Sequence, residues 1–201
     1  PDMGMWNYTY DANGNLETQK DALVSRTTIT FTYDELNRVK KKNYPTGTDV
    51  SYTYDVNPDP TLQTYPVGRL STMTDASGTT KYSYDIMGRP KTAMKNVDST
   101  NYAITLDYTD GRMTSITYPD NEVVTYVYGA GNVLQAVKNS ASNYMYAYYQ
   151  PADYTALGQP KTVNYGNSVS TSYVYNPLNN RLQNITTGSA AQLLNLTYDY
   201  Y

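Results

Sequence analysis

Tyr82-Ser83-Tyr84-Asp85-Ile86-Met87-Gly88-Arg89-Pro90 carries two signals side by side. Aromatic rings at alternate positions, with a small polar residue between them, mark one face of a β-strand. Asp85-x-x-Gly88 then matches a type I turn in which the Asp side chain accepts turn N–H groups and a left-handed Gly makes a bulge. The same arrangement returns along the chain. Tyr8-Thr9-Tyr10-Asp11-Ala12-Asn13-Gly14 and Phe31-Thr32-Tyr33-Asp34-Glu35-Leu36-Asn37-Arg38 precede it. Leu106 to Met113 holds Tyr108, Gly111 and Arg112 in a copy one residue shorter, and Tyr126-Val127-Tyr128-Gly129-Ala130-Gly131 and Tyr173-Val174-Tyr175 to Arg181 follow. Two copies read as stretched: Tyr52-Thr53-Tyr54-Asp55 reaches Gly68-Arg69 only after an insertion, and Tyr148 reaches Gly158 likewise. A last copy ends the sequence at Tyr198-Asp199.

Self-similarity at a fixed period of this kind is the mark of a repeat architecture. The second Tyr of each copy falls at Tyr10, Tyr33, Tyr54, Tyr84, Tyr108, Tyr128, Tyr148, Tyr175 and Tyr198, so residues 1–201 read as about nine imperfect repeats. Each repeat is predicted to be a β-hairpin. Tyr102, Ile104, Leu106 and Tyr108 alternate strictly before one turn, as do Val50, Tyr52 and Tyr54 before another. The return strand behaves differently. Its apolar residues are spaced by three, at Leu70 and Met73, Met113 and Ile116, and Leu182 and Ile185. A spacing of three breaks strand alternation, which predicts a bulge or sharp twist there. Further turns are expected at Tyr44–Gly47, Asp75–Gly78 and Tyr118–Asn121, leaving no room for helices. The fold class that follows is all-β: tandem hairpins, each paired with its neighbours in a curved, continuous sheet whose stability comes from hairpin-to-hairpin interfaces.

Composition narrows the chemistry. The 201 residues contain no Cys and no His, which excludes disulfides, Cys/His zinc sites, Cys nucleophiles and His-based triads. Lys and Arg number 15 against 18 Asp and Glu, the pI is near 4.8, and no basic patch suggests nucleic acid. No apolar run approaches the roughly 20 residues that span a bilayer. Leu, Ile, Val and Phe make up only about 16% of the chain, below the level expected of a globular core. The 25 Tyr residues are expected to take over that packing role.

At these residues the sequence resembles the YD-repeat, or RHS-repeat, family, whose pattern runs Gly-x-x-x-x-Tyr-x-Tyr-Asp-x-x-Gly-Arg-Leu-x-x-Ile-x-Tyr-Pro. Gly111-Arg112-Met113-Thr114-Ser115-Ile116-Thr117-Tyr118-Pro119, running on to Tyr126-Val127-Tyr128, is nearly a consensus copy. The family includes bacterial Rhs toxins, components of insecticidal toxin complexes, wall-associated proteins and teneurins. The resemblance implies a spiral of hairpins forming a hollow shell, secreted or displayed at the cell surface, which in toxin members encloses a C-terminal toxin domain. It also implies that this stretch is internal to a larger protein, because no segment matches the self-cleaving core that closes toxin shells. The expected function is therefore a non-catalytic shell segment, whose partners are the rest of its parent chain and an enclosed toxin. The alternative is a surface-adhesion module for a glycan or a partner protein. A fragment with two unpaired ends is expected to self-associate.

Sharper readings of single motifs yield to structural ones. No catalytic, cofactor or metal residues are assigned. The repeated tyrosines, the turn residues Asp11, Asp34, Asp55, Asp85 and Asp199, and the glycines Gly14, Gly68, Gly88, Gly111 and Gly131 are read as architecture. Arg38, Arg69, Arg89, Arg112 and Arg181 belong to the same motif. Trp6, Tyr65, Tyr144, Tyr146, Tyr149 and Tyr154 lie off the pattern and are the candidates for ligand contact. Asp55-Val56-Asn57-Pro58-Asp59-Pro60 opens like a calcium loop but has Pro60 and Pro66 where Gly and Glu are needed. Lys40-Lys41-Lys42 reads as protection of a solvated face. The triplets beginning at Asn7, Asn184 and Asn195 fit glycosylation sites only through the Tyr-Thr alternation.

Overall fold

The computed structural model of the chain describes residues 4–22, 28–142 and 144–200. It is all-β, apart from two single 3-10 turns at Ala130–Asn132 and Pro151–Asp153. Two compact units divide it at Thr105/Leu106. Unit 1 holds β1 (Asn7–Tyr10), β2 (Leu16–Lys20), β3 (Ile29–Tyr33), β4 (Val39–Asn43), β5 (Val50–Tyr54), β6 (Leu70–Asp75), β7 (Gly78–Tyr84) and β8 (Pro90–Val97), with the first part of β9 (Thr100–Thr109). Unit 2 continues from Leu106 through β10 (Arg112–Thr117), β11 (Val123–Tyr128), β12 (Leu134–Asn139), β13 (Met145–Tyr148), β14 (Thr162–Tyr165), β15 (Ser170–Tyr175), β16 (Leu182–Gly188) and β17 (Gln192–Thr197). Within each unit every strand pairs antiparallel with the next in sequence, as in the registers of β1 with β2, β3 with β4, β5 with β6, β11 with β12 and β15 with β16. This meander is what consecutive short hairpins produce when no crossover is available.

The spacing of three on the return strands has the predicted cause. Tyr52 pairs with Met73 and Tyr54 with Leu70, so two positions on β5 face three steps on β6, and Ser71 is the extra residue. Tyr173 and Tyr175 face Ile185 and Leu182 in the same way, with Gln183 extra. The ladder slips at the second Tyr in β1, β3, β7 and β11 too. A bulge at one fixed place per hairpin keeps both apolar residues of the return strand opposite the two tyrosines.

The turns follow their chemistry. Gly14 N donates to Asp11 O at 3.0 Å and Gly88 N to Asp85 O at 2.9 Å, with φ of 84° and 80° at the two glycines. Asn37 replaces Gly in its copy and takes φ 60°, which Asn tolerates better than other non-Gly residues.

Packing differs from the expected tyrosine core. Among the described residues the buried apolar ones are Pro66, Val124, Ala136 and Val163, and no tyrosine is fully buried. Ser71, Thr80, Ser83 and Thr171 are the buried polar residues. Within each unit Tyr33, Tyr54, Tyr84, Tyr128 and Tyr175 are half-buried, while Tyr8, Tyr10, Tyr148 and Tyr198 are exposed. Lateral contact between repeats thus replaces a closed core, as in other quasi-one-dimensional repeats.

Candidate functional site

The residues the motif repeats meet at the junction between one hairpin and the next. The second Tyr of a repeat reaches back to a carbonyl at or near the start of the return strand in the repeat before it. Tyr33 Oη donates to Leu16 O at 2.7 Å, Tyr54 to Val39 O at 2.8 Å and Tyr84 to Leu70 O at 2.9 Å. In unit 2, Tyr128 donates to Met113 O at 2.9 Å, Tyr154 to Leu134 O at 2.6 Å and Tyr175 to Pro160 O at 2.9 Å. The Leu16, Val39, Leu70 and Leu134 carbonyls stand beside bulges, so those bonds satisfy groups where the ladder is locally broken. Tyr10 occupies the same motif position but is 62% exposed.

The motif arginine reaches forward. Arg38 lies 4.3 Å from the centroid of Tyr54, Arg69 5.6 Å from Tyr84 and Arg112 5.2 Å from Tyr128, all within cation–π range. Arg181 lies over Tyr200 at 5.2 Å rather than over Tyr198, whose N–H donates to Gln183 O. Arg38 also joins two turns: its Nε meets Asp34 Oδ2 at 2.7 Å and its Nη2 meets Asp55 Oδ2 at 2.6 Å. Arg89 Nε meets its own Asp85 at 2.6 Å. In the shortened copy the turn carboxylate sits elsewhere: Asp110 is 3.9 Å from Arg112 Nη2, and Arg112 Nε is buried without a partner.

Four of the carboxylates at turns are held below their ordinary range. Backbone N–H donation from Arg38 lowers Asp34, the Arg38 guanidinium lowers Asp55, and the Asn15 side chain lowers Asp11. The Ser77 hydroxyl and Lys95 bring Asp75 down to about 2. Burial raises the hydroxyls of Tyr33, Tyr54 and Tyr84 above 10.0.

First-position tyrosines serve the strand face: Tyr82 pairs with Ala93, Tyr126 with Val137 and Tyr8 with Gln19. Tyr108 lies half-buried one residue before the end of β9, Gly111 and Gly131 take φ of 80° and 71°, and Asp199 follows the last strand. The insertion after Asp55 leaves that residue at φ 68°, with Gly68 N on its carboxylate at 2.6 Å. The calcium-like stretch is likewise engaged internally, since Asp59 caps Thr61 and meets Lys81 at 3.3 Å. Among the described residues no group of three or more acidic side chains could hold a metal ion.

The off-pattern aromatics do not converge on one site. Trp6 stacks on Tyr8 at 6.2 Å, and the Tyr65 carbonyl braces Arg69 at 3.2 Å, both in unit 1. In unit 2, Tyr144 meets Tyr146 edge-on at 5.5 Å, and the Tyr146 hydroxyl donates to Glu122, which raises its pKa. Tyr149 stacks on Tyr154 at 5.3 Å. Tyr154 is off the pattern only in one dimension. It is Tyr154, not Tyr148, that carries the hydroxyl bond, followed by a Thr155–Gly158 turn. The stretch in that copy therefore precedes the motif, whereas in the copy of Tyr54 it follows it. Sequence reasoning assigned no partner to the motif arginine. The step of 15 or 16 residues from Arg38, Arg69 and Arg112 to the next second Tyr was the available signal.

The family model RHS Repeat matches residues 10–49 and 65–100. A comparison with curated protein sequences returned no match. Solved structures similar in fold include the Tc holotoxin pore of Photorhabdus luminescens, at TM-score 0.60 and 16% identity, over 98% of this chain and 12% of that one. TcdB2-TccC3 crystallised as such, at TM-score 0.60, and its TEV form, at 0.59, match with the same identity and coverage. The chain thus spans about an eighth of the length of these structures. RHS repeats are thus matched over residues 10–49 and 65–100, and the fold that contains them is similar to these structures along 98% of the chain.

Proposed function

We propose that this chain is a non-catalytic wall segment of an RHS-repeat shell, secreted or displayed at the cell surface, that helps to enclose a C-terminal toxin domain. One observation carries the reading: motif Tyr, Asp and Arg side chains are used in bonds within and between hairpins, so the repeated residues build a surface rather than a reaction site. The absence of His and Cys from the whole sequence removes the commonest nucleophile and metal chemistries. Fold likeness to a small part of much longer toxin-complex chains supports a place within a larger wall. The mechanism is containment. A sheet whose backbone groups pair strand to strand offers a cargo few free hydrogen-bond edges and separates it from solvent outside. No helix of the described residues is long and apolar enough to cross a membrane.

The test is imaging and proteolysis of the product of the complete reading frame that contains this segment. The expected result is a hollow β-shell with this segment in its wall, and a downstream domain that resists protease until the shell is opened. A solid or open assembly with a freely digested downstream domain refutes containment. Glycan or receptor binding by the wall's outer surface, without any enclosed domain, would establish the adhesion alternative instead.

A further inference from the structure

The shortened repeat turns on two residues alone. Thr109 closes β9, Arg112 opens β10, and Asp110 and Gly111 between them take φ of 49° and 80°. Positive φ at both central positions defines a type I′ hairpin turn. Asp110-Gly111 is also the one Asp-Gly pair in the sequence. The carboxyl that elsewhere holds a motif turn together is disengaged here. Asp11, Asp34 and Asp85 each accept two backbone N–H groups at 2.8 to 3.0 Å. Asp110 accepts none among the described residues; its side chain is 80% exposed, with Arg112 Nη2 3.9 Å away. The Gly111 N–H likewise donates to no carbonyl among the described residues. Apart from its chain neighbours, no atom lies within 4 Å of where a Cβ on Gly111 would stand.

These are the conditions for attack of the main chain on a side chain. Flipping the Asp110–Gly111 peptide converts the type I′ turn into type II′ and brings ψ of Asp110 to about −120°. At that angle Cβ, Cα, the carbonyl carbon and Gly111 N lie near one plane, so the nitrogen meets Cγ and can close a succinimide ring. No hydrogen bond from Gly111 has to break, and no side chain on it stands in the way. Two other places in the chain offer related sequences without these conditions. Asp98 and Ser99 form the matching turn, with φ of 47° and 65° between the paired Val97 and Thr100, but the Ser99 Cβ crowds the attacking nitrogen. At Asn13-Gly14 the Gly14 N–H donates to Asp11 O at 3.0 Å, and Asn13 Nδ2 donates to Asn37 Oδ1 at 3.1 Å.

We propose that Asp110 is a site of spontaneous covalent modification, converting through a succinimide to an isoaspartyl linkage. Gly111 N bonds to Asp110 Cγ, the Cγ–OH bond breaks, and the amide proton leaves with the hydroxyl as water. Water then opens the ring at either carbonyl. Addition at Cγ restores aspartate. Addition at the Asp110 carbonyl carbon breaks the original peptide bond and leaves the chain running through Cβ and Cγ. The reaction needs no reagent but water and leaves the mass unchanged. Its product carries an extra main-chain carbon in a turn whose flanking strands fix the spacing, so the β9–β10 hairpin frays at Thr109 and Arg112. The inference is independent of the containment reading, since it rests on the turn alone.

The test ages the folded chain at mildly acidic pH, where the reactive carboxylic acid form is populated, and reads one tryptic peptide. Asn96 to Arg112 follows Lys95 and contains both Asp98 and Asp110, so the two turns are compared in a single molecule. Electron-transfer fragmentation distinguishes isoaspartyl from aspartyl linkages. Conversion at Asp110 should exceed that at Asp98 at least about tenfold. Gly111→Asn keeps a residue that tolerates positive φ but adds a Cβ, and should slow conversion at Asp110 by about the same factor, with unchanged circular dichroism. Ser99→Gly should raise conversion at Asp98 to the level of Asp110, a gain that misfolding of the Gly111 variant could not imitate. Equal conversion at Asp98 and Asp110 in the unaltered chain, conversion at Asp110 only after unfolding in urea, or an unaltered rate in the Gly111→Asn variant would overturn the proposal.

Discussion

Tyr54→Phe removes one hydroxyl and keeps the ring. The lost bond is Tyr54 Oη to Val39 O at 2.8 Å, between one hairpin and the one before it. The Arg38 guanidinium 4.3 Å from the ring centroid should be retained by Phe, so the substitution isolates the hydrogen bond. A typical intramolecular bond contributes about 0.5–1.5 kcal/mol net, and here the Val39 carbonyl loses its donor beside a bulge, so about 1 kcal/mol is expected. Tyr10→Phe is the matched control: it has the same motif position and the same chemistry, but it is 62% exposed. That change should stay within about 0.5 kcal/mol. Urea unfolding followed by circular dichroism reads both, and the Tyr54 variant should lose about 2–4 °C in thermal midpoint. Amide exchange at Val39 and its neighbours should rise in the Tyr54 variant alone. Equal effects at the two positions would refute the reasoning, because the tyrosine would then act within its own hairpin rather than across the junction.

Four further outcomes are expected. The carboxylates of Asp34, Asp55 and Asp75 have folded pKa values below the ordinary 3.8, so their contribution is full above that value and is lost as pH falls. Unfolding midpoints should therefore drop between pH 4 and the Asp75 value of about 2, and Asp75→Asn should flatten that drop. Tyr33, Tyr54 and Tyr84 are raised above 10.0, so their hydroxyl bonds stabilise fully below that pH and fail as it rises; tyrosinate absorbance should show a late group that titrates together with unfolding. Ser71, fully buried with an unpartnered hydroxyl at a bulge, predicts that Ser71→Ala raises stability by about 1 kcal/mol in the same urea assay. Strand β17 is exposed throughout, with Leu193, Leu194 and Leu196 on it, so sedimentation should show concentration-dependent self-association that Leu194→Lys suppresses.

Much of the hairpin was legible because its signals are local. Alternation in Val50, Tyr52 and Tyr54 needs only the period of a strand, and Asp85-x-x-Gly88 needs only the turn's own hydrogen bonds. The bulge was legible for the same reason: Leu182 and Ile185 can both face Tyr175 and Tyr173 only if Gln183 is displaced. The arginine contacts were less accessible, since Arg38 serves its own turn and the next one, 17 residues on.

Sequence by itself determined the repeat, its strand faces, its turns and its bulge, all interactions among residues close along the chain. Tertiary structure decided where Tyr33, Tyr54, Tyr84, Tyr128, Tyr154 and Tyr175 stand: half-buried between hairpins, because each of their hydroxyls finds a carbonyl 14 to 20 residues away. It also decided that Tyr154 rather than Tyr148 takes the column in its repeat. An insertion can precede or follow a motif without changing the local pattern. Only the previous hairpin, through the position of the Leu134 carbonyl, selects which ring can reach it.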